Sequence, residues 1–410
     1  MRRARSIAIS ALIVSAAIAA ASTPESIDAA YARYKERLDR LYTALSARFR
    51  TDASDLFARI KTVEPKALVA GYQVLPKLLP EPAPAAEPPR SAVSEFSWPK
   101  TAASIEREAA KIGPALTAAE RAGTLPATDK RAAYETLATE FAALQRSQRL
   151  IDAWIQYNKL WQPSIAANRA IYDHQTELEH AVVERQEIRD ELARAGADPV
   201  KGEALRDRER ALSEKIHAAT DEIVPLPFIT LEHPSAHRWT IRVPVVSDIA
   251  DDAFVRAFRA AVERTWQVKD GGDEYRVLLS LKRISPQRLY RGSGSAPPRP
   301  GDAVDLTKHL ARFPAGAAVL TTGAVTTHVT SVRCIVIGPN DVAPHDLAHE
   351  FGHILGFKDV YFRGYVDLGA DGFEIHEVVA EPGDIMGGLG PVRREQLERL
   401  VEAIGKARSR

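Results

Sequence analysis

The first half of the chain carries the hydrophobic spacing of amphipathic helices. From about Ser26 to Val224, apolar side chains recur at steps of three and four residues, which is the period of one helix face. The first such segment has apolar residues at Ile27, Tyr31, Tyr34, Leu38, Leu41, Leu45 and Phe49. The second has them at Tyr134, Leu137, Phe141, Leu144, Ile151 and Ile155. Between the two lies a proline-rich linker at about 75–99, which can form only a loop or extended chain.

A seven-residue repeat follows at about 165–222. Ile171, Leu178 and Leu192 lie at multiples of seven, with Ala181 and Ile188 seven apart between them. The stretch ARAGADPVKG interrupts the repeat with glycine and proline. The repeat then resumes at Leu205, Leu212 and Ile216. This pattern predicts a helical hairpin that packs as an antiparallel coiled coil, with its many charged residues on a solvated face.

The pattern changes near residue 225, where short strand-like runs alternate with helices. The predicted strands are RWTIRVPVV, YRVLLSLKRI, AAVLTTGA and SVRCIVIG. The predicted helices are DDAFVRAFRAAVERTW, HDLAHEFGHILGF and VRREQLERLVEAIGKAR. We therefore expect an α+β protein, with an α-helical domain at 23–225 and a mixed sheet-and-helix domain at 226–410.

Residues 1–22 have the organisation of a signal peptide. The basic stretch MRRARS precedes the apolar run IAISALIVSAAIAA and several small residues. This run is shorter than the roughly 20 apolar residues of a membrane span. The pattern predicts export to the periplasm or the exterior of a bacterium, with no stable membrane anchor after cleavage. The Arg2–Arg3 pair leaves the general secretory and twin-arginine routes both open.

Charge and cysteine content narrow the function classes. The 55 lysines and arginines nearly balance the 54 aspartates and glutamates, so we expect no nucleic-acid partner. The single cysteine, Cys334, excludes an internal disulfide. It lies in an apolar, strand-like run and is predicted to be a small buried side chain.

The stretch HEFGHILGFKD at 349–359 carries the candidate chemistry. His349 and His353 are four residues apart, so a helix presents both imidazoles on one face, where two nitrogens can bind one zinc ion. Glu350 lies beside the first histidine, offset around the helix. There it can act as general base toward a water that zinc activates, and then deliver the proton to the leaving amine.

A catalytic zinc ion needs a third protein ligand and an open position. Gly356 can adopt a positive φ and turn the chain after the helix, which returns Asp359 toward the metal. Asp359 is therefore the favoured third ligand. The side chains that remain alternatives are His376, Glu374, Glu377 and Glu381.

These residues resemble the zinc-binding signature of the metzincin metallopeptidases, H-E-x-x-H-x-x-G-x-x-H. Most metzincins have a third histidine at the position of Asp359, whereas the snapalysin type has an aspartate there, as this chain does. Metzincins also have a methionine turn beneath the metal, and GDIMGG places Met386 27 residues after Asp359. The resemblance covers roughly 226–410. It implies a Zn²⁺ cofactor, a peptide or protein substrate, and Met386 as the hydrophobic floor of the site.

Many metzincins have a tyrosine just after the turn methionine, and this chain has Gly387, Gly388 and Leu389 there. In those metzincins the tyrosine helps to stabilise the oxyanion, and the candidates for that role here are Tyr361, Tyr365 and His376.

Two functions follow as hypotheses. The first is an exported zinc metalloendopeptidase, whose helical domain is either a scaffold or a region that binds a partner or self-associates. A propeptide that blocks the cleft is the remaining alternative for that domain. The second is an envelope or extracellular binding protein, in which the coiled coil is the working part and the zinc fold is structural. Glu350 favours the first hypothesis, because a structural zinc site needs no general base.

Overall fold

The structure, a computed structural model, describes residues 26–60, 70–80, 102–194, 199–367, 373–388 and 390–408. The predicted signal peptide and most of the proline-rich linker lie outside the described residues. Over the described ranges, no helix is both long and apolar enough to cross a membrane. The chain is a mixture of helix and sheet, in agreement with the predicted α+β class, and it divides into two compact units.

The first unit is helical and contains the described residues of 26–60 and 102–162. Its core is the apolar face predicted from the spacing, since Tyr34, Leu41 and Phe141 are almost fully buried. The buried Tyr34 hydroxyl donates to the carbonyl oxygen of Leu144 at 2.8 Å. The helices that contribute to it are α1 (Ile27–Asp52), α2 (Phe57–Ile60), α3 (Ala102–Ala110), α4 (Ile112–Ala122) and most of α5 (Ala127–Ala167).

The second unit is built on a seven-stranded mixed sheet. Its strands are β1 (Thr230–Ser235), β2 (Arg238–Ser247), β3 (Gln267–Asp270), β4 (Asp273–Arg283), β5 (Ala318–Thr322), β6 (His328–Thr330) and β7 (Cys334–Ile337). The order is β3-β4-β2-β5-β7-β6, with β1 also paired to β2. Strands β4, β2, β5 and β7 are parallel, whereas β1, β3 and β6 are antiparallel to their neighbours. The four predicted strands are confirmed as β2, β4, β5 and β7.

Both faces of the central strands are covered, which explains their continuous apolar runs. On β7, Ile335 and Ile337 belong to one core cluster, and Cys334 and Val336 belong to another. Cys334 is a buried free cysteine, as predicted. The helices of this unit are α6 (Arg169–Arg194), α7 (Pro199–Thr220), α8 (Asp252–Thr265), α9 (Pro286–Leu289), α10 (Leu306–Leu310), α11 (Pro344–Leu355) and α12 (Arg394–Arg408).

A two-stranded hairpin of β8 (Tyr361–Asp367) and β9 (Phe373–Val379) follows α11. The apolar pattern did not predict it. Its inward-facing positions include the small Gly364 beside Phe362, so the alternation of large apolar residues is weak.

Helices α6 and α7 belong to the sheet unit, although the predicted domain boundary lies near residue 225. The observed division falls inside α5, between residues 162 and 163. The reason is apolar contact, since Leu178 and Val182 of α6 share a core cluster with Phe362 and Val378 of the β8–β9 hairpin. The helical hairpin itself is present as predicted, but Ile171, which was assigned to its repeat, is 61% exposed.

Residues 70–80, here named the strap, also belong to the sheet unit. The Leu79 N–H donates to the Val342 carbonyl at 3.0 Å, and the Val342 N–H donates to the Lys77 carbonyl at 3.1 Å. Val342 lies two residues before α11. The strap therefore supports the chain where it enters the helix that carries the histidine motif.

Candidate metal centre

The sequence of helix α11 explains where the helix begins and which of its sides is buried. Pro344 occupies its first turn, and the Ala343 N–H donates to the Asp346 carboxylate at 2.9 Å, which satisfies one free donor at the helix start. The helix buries an apolar face formed by Leu347, Ala348, Phe351, Ile354 and Leu355. His349, Glu350 and His353 lie on the half-buried side, and the two imidazole centroids are 5.2 Å apart.

The helix ends at Gly356 in a left-handed conformation, with φ of +99°. The Gly356 N–H donates to the His353 carbonyl at 3.1 Å. A side chain at Gly356 would also collide with the carbonyl group of Val224. Both the backbone angle and the close approach require glycine here, so the predicted turn is present and directs the chain toward Asp359.

Three potential ligand atoms converge after this turn. Asp359 Oδ1 lies 3.3 Å from His349 Nε2 and 3.2 Å from His353 Nε2. The other nitrogen of each ring, Nδ1, donates to a backbone carbonyl, that of Ile385 at 2.8 Å and that of Phe357 at 3.0 Å. Because a carbonyl only accepts, these bonds place a proton on Nδ1 and turn each Nε2 toward the carboxylate.

The electrostatics of the three groups are reciprocal. Burial opposes a charge on His349, but the close contact with Asp359 and its negative charge outweigh burial and raise the pKa of His349 to about 9. The same balance raises the pKa of His353. Burial also opposes a charge on Asp359, yet the two imidazoles hold its pKa well below the usual range. The three side chains are therefore electrostatically coupled.

Glu350 shares this environment. Burial raises the pKa of its carboxyl group, and the neighbouring His349 and His353 oppose that rise without cancelling it. A carboxyl group with a raised pKa is a better proton acceptor than an ordinary solvated glutamate. This suits the general-base role predicted from its position in the motif.

Met386 lies beneath the histidine helix. It is 1% exposed and occupies a short 3₁₀ turn at Ile385–Gly387. A side chain on Gly352 of α11 would collide with the Met386 sulfur, so the glycine permits this packing. The Asp384 carboxylate accepts from the Met386 N–H at 2.7 Å and from the Gln396 side chain at 2.9 Å, which braces the turn.

The alternative third ligands have other partners. Glu377 pairs with Arg363 at 2.7 Å, His376 lies 3.4 Å from Glu179, and Glu381 pairs with Arg185 at 3.1 Å. The side chain of Glu374 lies outside the described part of the structure. Among the described histidines, cysteines and acids, the group whose atoms meet the spacing of a metal site is His349, His353 and Asp359, with ligand atoms within 4.8 Å of one another.

Of the three side chains predicted as candidates for the oxyanion role, one lies beside the histidines and two have partners elsewhere. Tyr361 stacks on His349, with ring centroids 6.3 Å apart. Tyr365 instead donates from its hydroxyl to Asp173 at 2.6 Å, and His376 lies beside Glu179. His345, one turn before His349, hydrogen-bonds the Gly388 carbonyl and so contacts the methionine turn.

Sequence reasoning missed three contributors to this centre. These are Gly352, the Ile385 carbonyl and the β8–β9 hairpin. A glycine inside a helix costs roughly 0.5–1 kcal/mol relative to alanine, so its presence between the two histidines was a readable signal of close packing. The Ile385 carbonyl has no such signal, because any residue supplies the same group.

The donor set fits a zinc ion. Asp359 Oδ1 is buried and makes no regular hydrogen bond with any residue that the structure describes, although it lies close to both Nε2 atoms. A tetrahedral zinc ion with ligands at roughly 2.0–2.1 Å separates its donor atoms by about 3.3–3.4 Å, which is near the observed histidine-to-carboxylate distances. Two imidazoles and a carboxylate are ordinary zinc ligands.

Comparison with protein-family models, curated proteins and solved structures finds no match to this chain.

Proposed function

We propose that this protein is a zinc-dependent metalloendopeptidase of the metzincin type. The observation that carries the proposal is the convergence of His349 Nε2, His353 Nε2 and Asp359 Oδ1 beside Glu350. Met386, packed against Gly352 under the same helix, adds to it. A structural zinc site would need no general base, so the placement of Glu350 favours an enzyme over a scaffold.

Each side chain has a definite task in this proposal. His349, His353 and Asp359 would hold zinc, and the Ile385 and Phe357 carbonyls fix the orientation of the two rings. When bound, zinc supplies Lewis acidity that activates water and polarises a peptide carbonyl. Glu350 takes the proton of the attacking water and gives it to the departing amine nitrogen.

The other roles remain predictions from the sequence. We infer that the chain is exported to the periplasm or the cell exterior, and that the helical region predicted at 23–225 is a scaffold, or binds a partner or self-associates. The coiled-coil packing of α6 and α7 belongs to this proposal. Their ion pairs, Arg189–Glu209 at 2.7 Å and Arg208–Glu184 at 2.7 Å, support such an arrangement.

The decisive experiment compares Glu350→Gln with the full-length wild-type chain. We expect about one zinc ion per chain in both, measured by elemental mass spectrometry. We expect cleavage of a peptide library to fall about 10²–10⁴-fold in the variant, because the general base is lost while the ligands remain. Glu377→Gln is the matched control, because Glu377 pairs with Arg363 and is not among the converging ligand atoms.

Two results would contradict the proposal. Undiminished cleavage by Glu350→Gln would exclude Glu350 as the base. A wild-type chain that binds zinc but cleaves no peptide in the library would favour the binding-protein hypothesis.

A further inference from the structure

Helix α6 contains a buried arginine that the proposed chemistry does not use. Arg185 is 1% exposed, whereas Arg189, one turn further along, has a side chain that is 43% exposed. Burying a guanidinium group costs several kcal/mol unless good partners compensate for the lost water. The position of Arg185 therefore indicates a specific set of contacts.

Its partners lie at the end of β9. Arg185 donates from Nη2 to the Ala380 carbonyl at 2.6 Å and from Nη1 to the Glu381 carboxylate at 3.1 Å. These residues lead directly into the turn of Met386. The Glu381 carbonyl accepts from the Asp384 N–H at 3.0 Å, so the segment that Arg185 holds is also the start of that turn.

Backbone hydrogen bonds continue from this segment to the third candidate ligand. The Ala380 N–H donates to the Val360 carbonyl at 2.8 Å. The Val360 N–H in turn donates to the Met386 carbonyl at 3.1 Å. Val360 is the residue after Asp359. Two hydrogen bonds, from Arg185 to Ala380 and from Ala380 to Val360, therefore connect the guanidinium to the backbone beside Asp359.

Apolar packing keeps α6 against the hairpin on which this chain of bonds depends. Leu178 and Val182 pack with Phe362 and Val378. A side chain on Gly364 would collide with Glu179 of α6, so the helix and strand β8 approach closely. This close approach limits the positions that the Arg185 side chain can reach.

We infer that Arg185 is a positioning residue, which holds the backbone that carries Asp359 and Met386 in place from helix α6. The inference rests on the proposed function for its metal-binding consequence. It assigns a task to the helical hairpin, which braces the metal centre in addition to any role in binding a partner.

The test is Arg185→Met in the full-length chain, which keeps much of the volume and removes both donors. In the zinc-free protein, amide hydrogen exchange at Val360 and Ala380 should accelerate by about tenfold or more. Zinc affinity, measured by competition with a chromophoric chelator, should weaken by about tenfold, the lower end of the range for groups that support a metal ligand. Arg189→Met on the same helix is the control and should change neither quantity.

Arg185→Lys keeps the positive charge and guards against a variant that fails to fold. A lysine ammonium has no planar fork, so we expect it to restore only part of the protection and affinity. Unchanged exchange at Val360 and Ala380 in a folded Arg185→Met or Arg185→Lys protein would overturn the inference. Two results together would support the positioning role and overturn the proposed function. These are a wild-type chain that binds no zinc, and Arg185 variants that lose exchange protection at Val360.

Discussion

Two of the histidine–aspartate contacts in the sheet unit have similar distances but different surroundings. His309 Nε2 lies 3.1 Å from Asp248 Oδ2, and His349 Nε2 lies 3.3 Å from Asp359 Oδ1. The first pair is entirely buried, whereas the side chains of the second are 14% and 30% exposed. Proximity alone therefore does not distinguish a ligand set from an interior brace.

The buried pair has partners from several parts of the unit. The Tyr72 hydroxyl of the strap donates to Asp248 Oδ2 at 2.8 Å. Tyr290 and Thr321 place hydroxyl groups 2.9 and 3.1 Å from the two ring nitrogens of His309. Side-chain hydroxyls thus occupy both nitrogens, and the cluster connects the strap to the ends of β2 and β5.

The pair on α11 is arranged differently. Backbone carbonyls bind only the Nδ1 atoms of His349 and His353, and both Nε2 atoms face one carboxylate oxygen. No hydroxyl from the described residues hydrogen-bonds either Nε2. The two pairs therefore differ at Nε2: that of His309 contacts a hydroxyl group as well as a carboxylate, whereas, among the described residues, those of His349 and His353 face only the carboxylate of Asp359.

Removal of each aspartate should produce opposite phenotypes. We expect Asp359→Ala to weaken zinc binding at least about 100-fold while the protein stays folded, because the histidines can become neutral at mild pH. We expect Asp248→Ala to lower the free energy of unfolding by about 3–5 kcal/mol and to leave zinc binding by the folded protein unchanged. Elemental mass spectrometry and urea denaturation measure the two effects.

Glu377→Ala is the control for this comparison, since it removes a carboxylate that pairs with Arg363. It should retain zinc. Loss of zinc in Glu377→Ala with retention in Asp359→Ala would instead place the third ligand on β9.

The pH dependence of stability should sharpen the contrast. In the zinc-free protein the pKa of His349 rises from 6.5 to about 9. Its contribution to stability is therefore complete below about pH 6.5 and is lost as the pH rises through about 9. A shift of this size corresponds to at most about 3–4 kcal/mol. Denaturation of chelator-treated protein between pH 6 and pH 9.5 measures it.

Asp359→Asn removes the charge that raises this pKa, so its stability should vary less over the same pH range. Parallel profiles for the wild type and Asp359→Asn would show that the pair does not hold a proton in the zinc-free protein. Saturating zinc should also flatten the wild-type profile, because metal and proton compete for Nε2.

The smallest effect is expected from one hydroxyl group of the buried cluster. Tyr72→Phe removes a donor to Asp248 and should lower the free energy of unfolding by about 1–3 kcal/mol without changing zinc affinity. Tyr365→Phe is the matched control, because its hydroxyl donates to Asp173 on the surface and should contribute about 1 kcal/mol or less. Equal losses in the two variants would mean that burial adds nothing to the Tyr72 bond.

Many of the helices and strands could be predicted from local patterns of apolar residues in the sequence. The apolar steps of α1 and α5 predicted faces that are buried, and the runs at β2 and β7 predicted strands of the sheet. Helix α8 begins after Asp251, as its acidic start indicated, and buries Phe254 and Phe258. These features are local because hydrogen bonding along a helix, and side-chain alternation along a strand, depend on near neighbours.

The assignment of the helical hairpin to the sheet unit was not accessible in this way. The apolar positions of α6 show that the helix has a face to bury, but they do not identify the surface that covers it. Phe362 and Val378 cover it, and they lie more than 150 residues away in sequence. The strap is a similar case, since a tyrosine just before the proline-rich linker gives no sign of a buried hydrogen bond to Asp248.

The sequence by itself determined the two histidines and the glutamate on one helix, and the glycine that ends that helix. Four-residue spacing and a positive φ are properties of a few consecutive residues. The sequence also favoured Asp359, but only the tertiary structure decided that Asp359, and not Glu377 or His376, meets the imidazoles. It likewise decided that Met386 packs against Gly352, and that Arg185 supports the backbone at Asp359 and Met386. Those choices depend on which distant segments pack together, and packing is set by shape and burial over the whole unit.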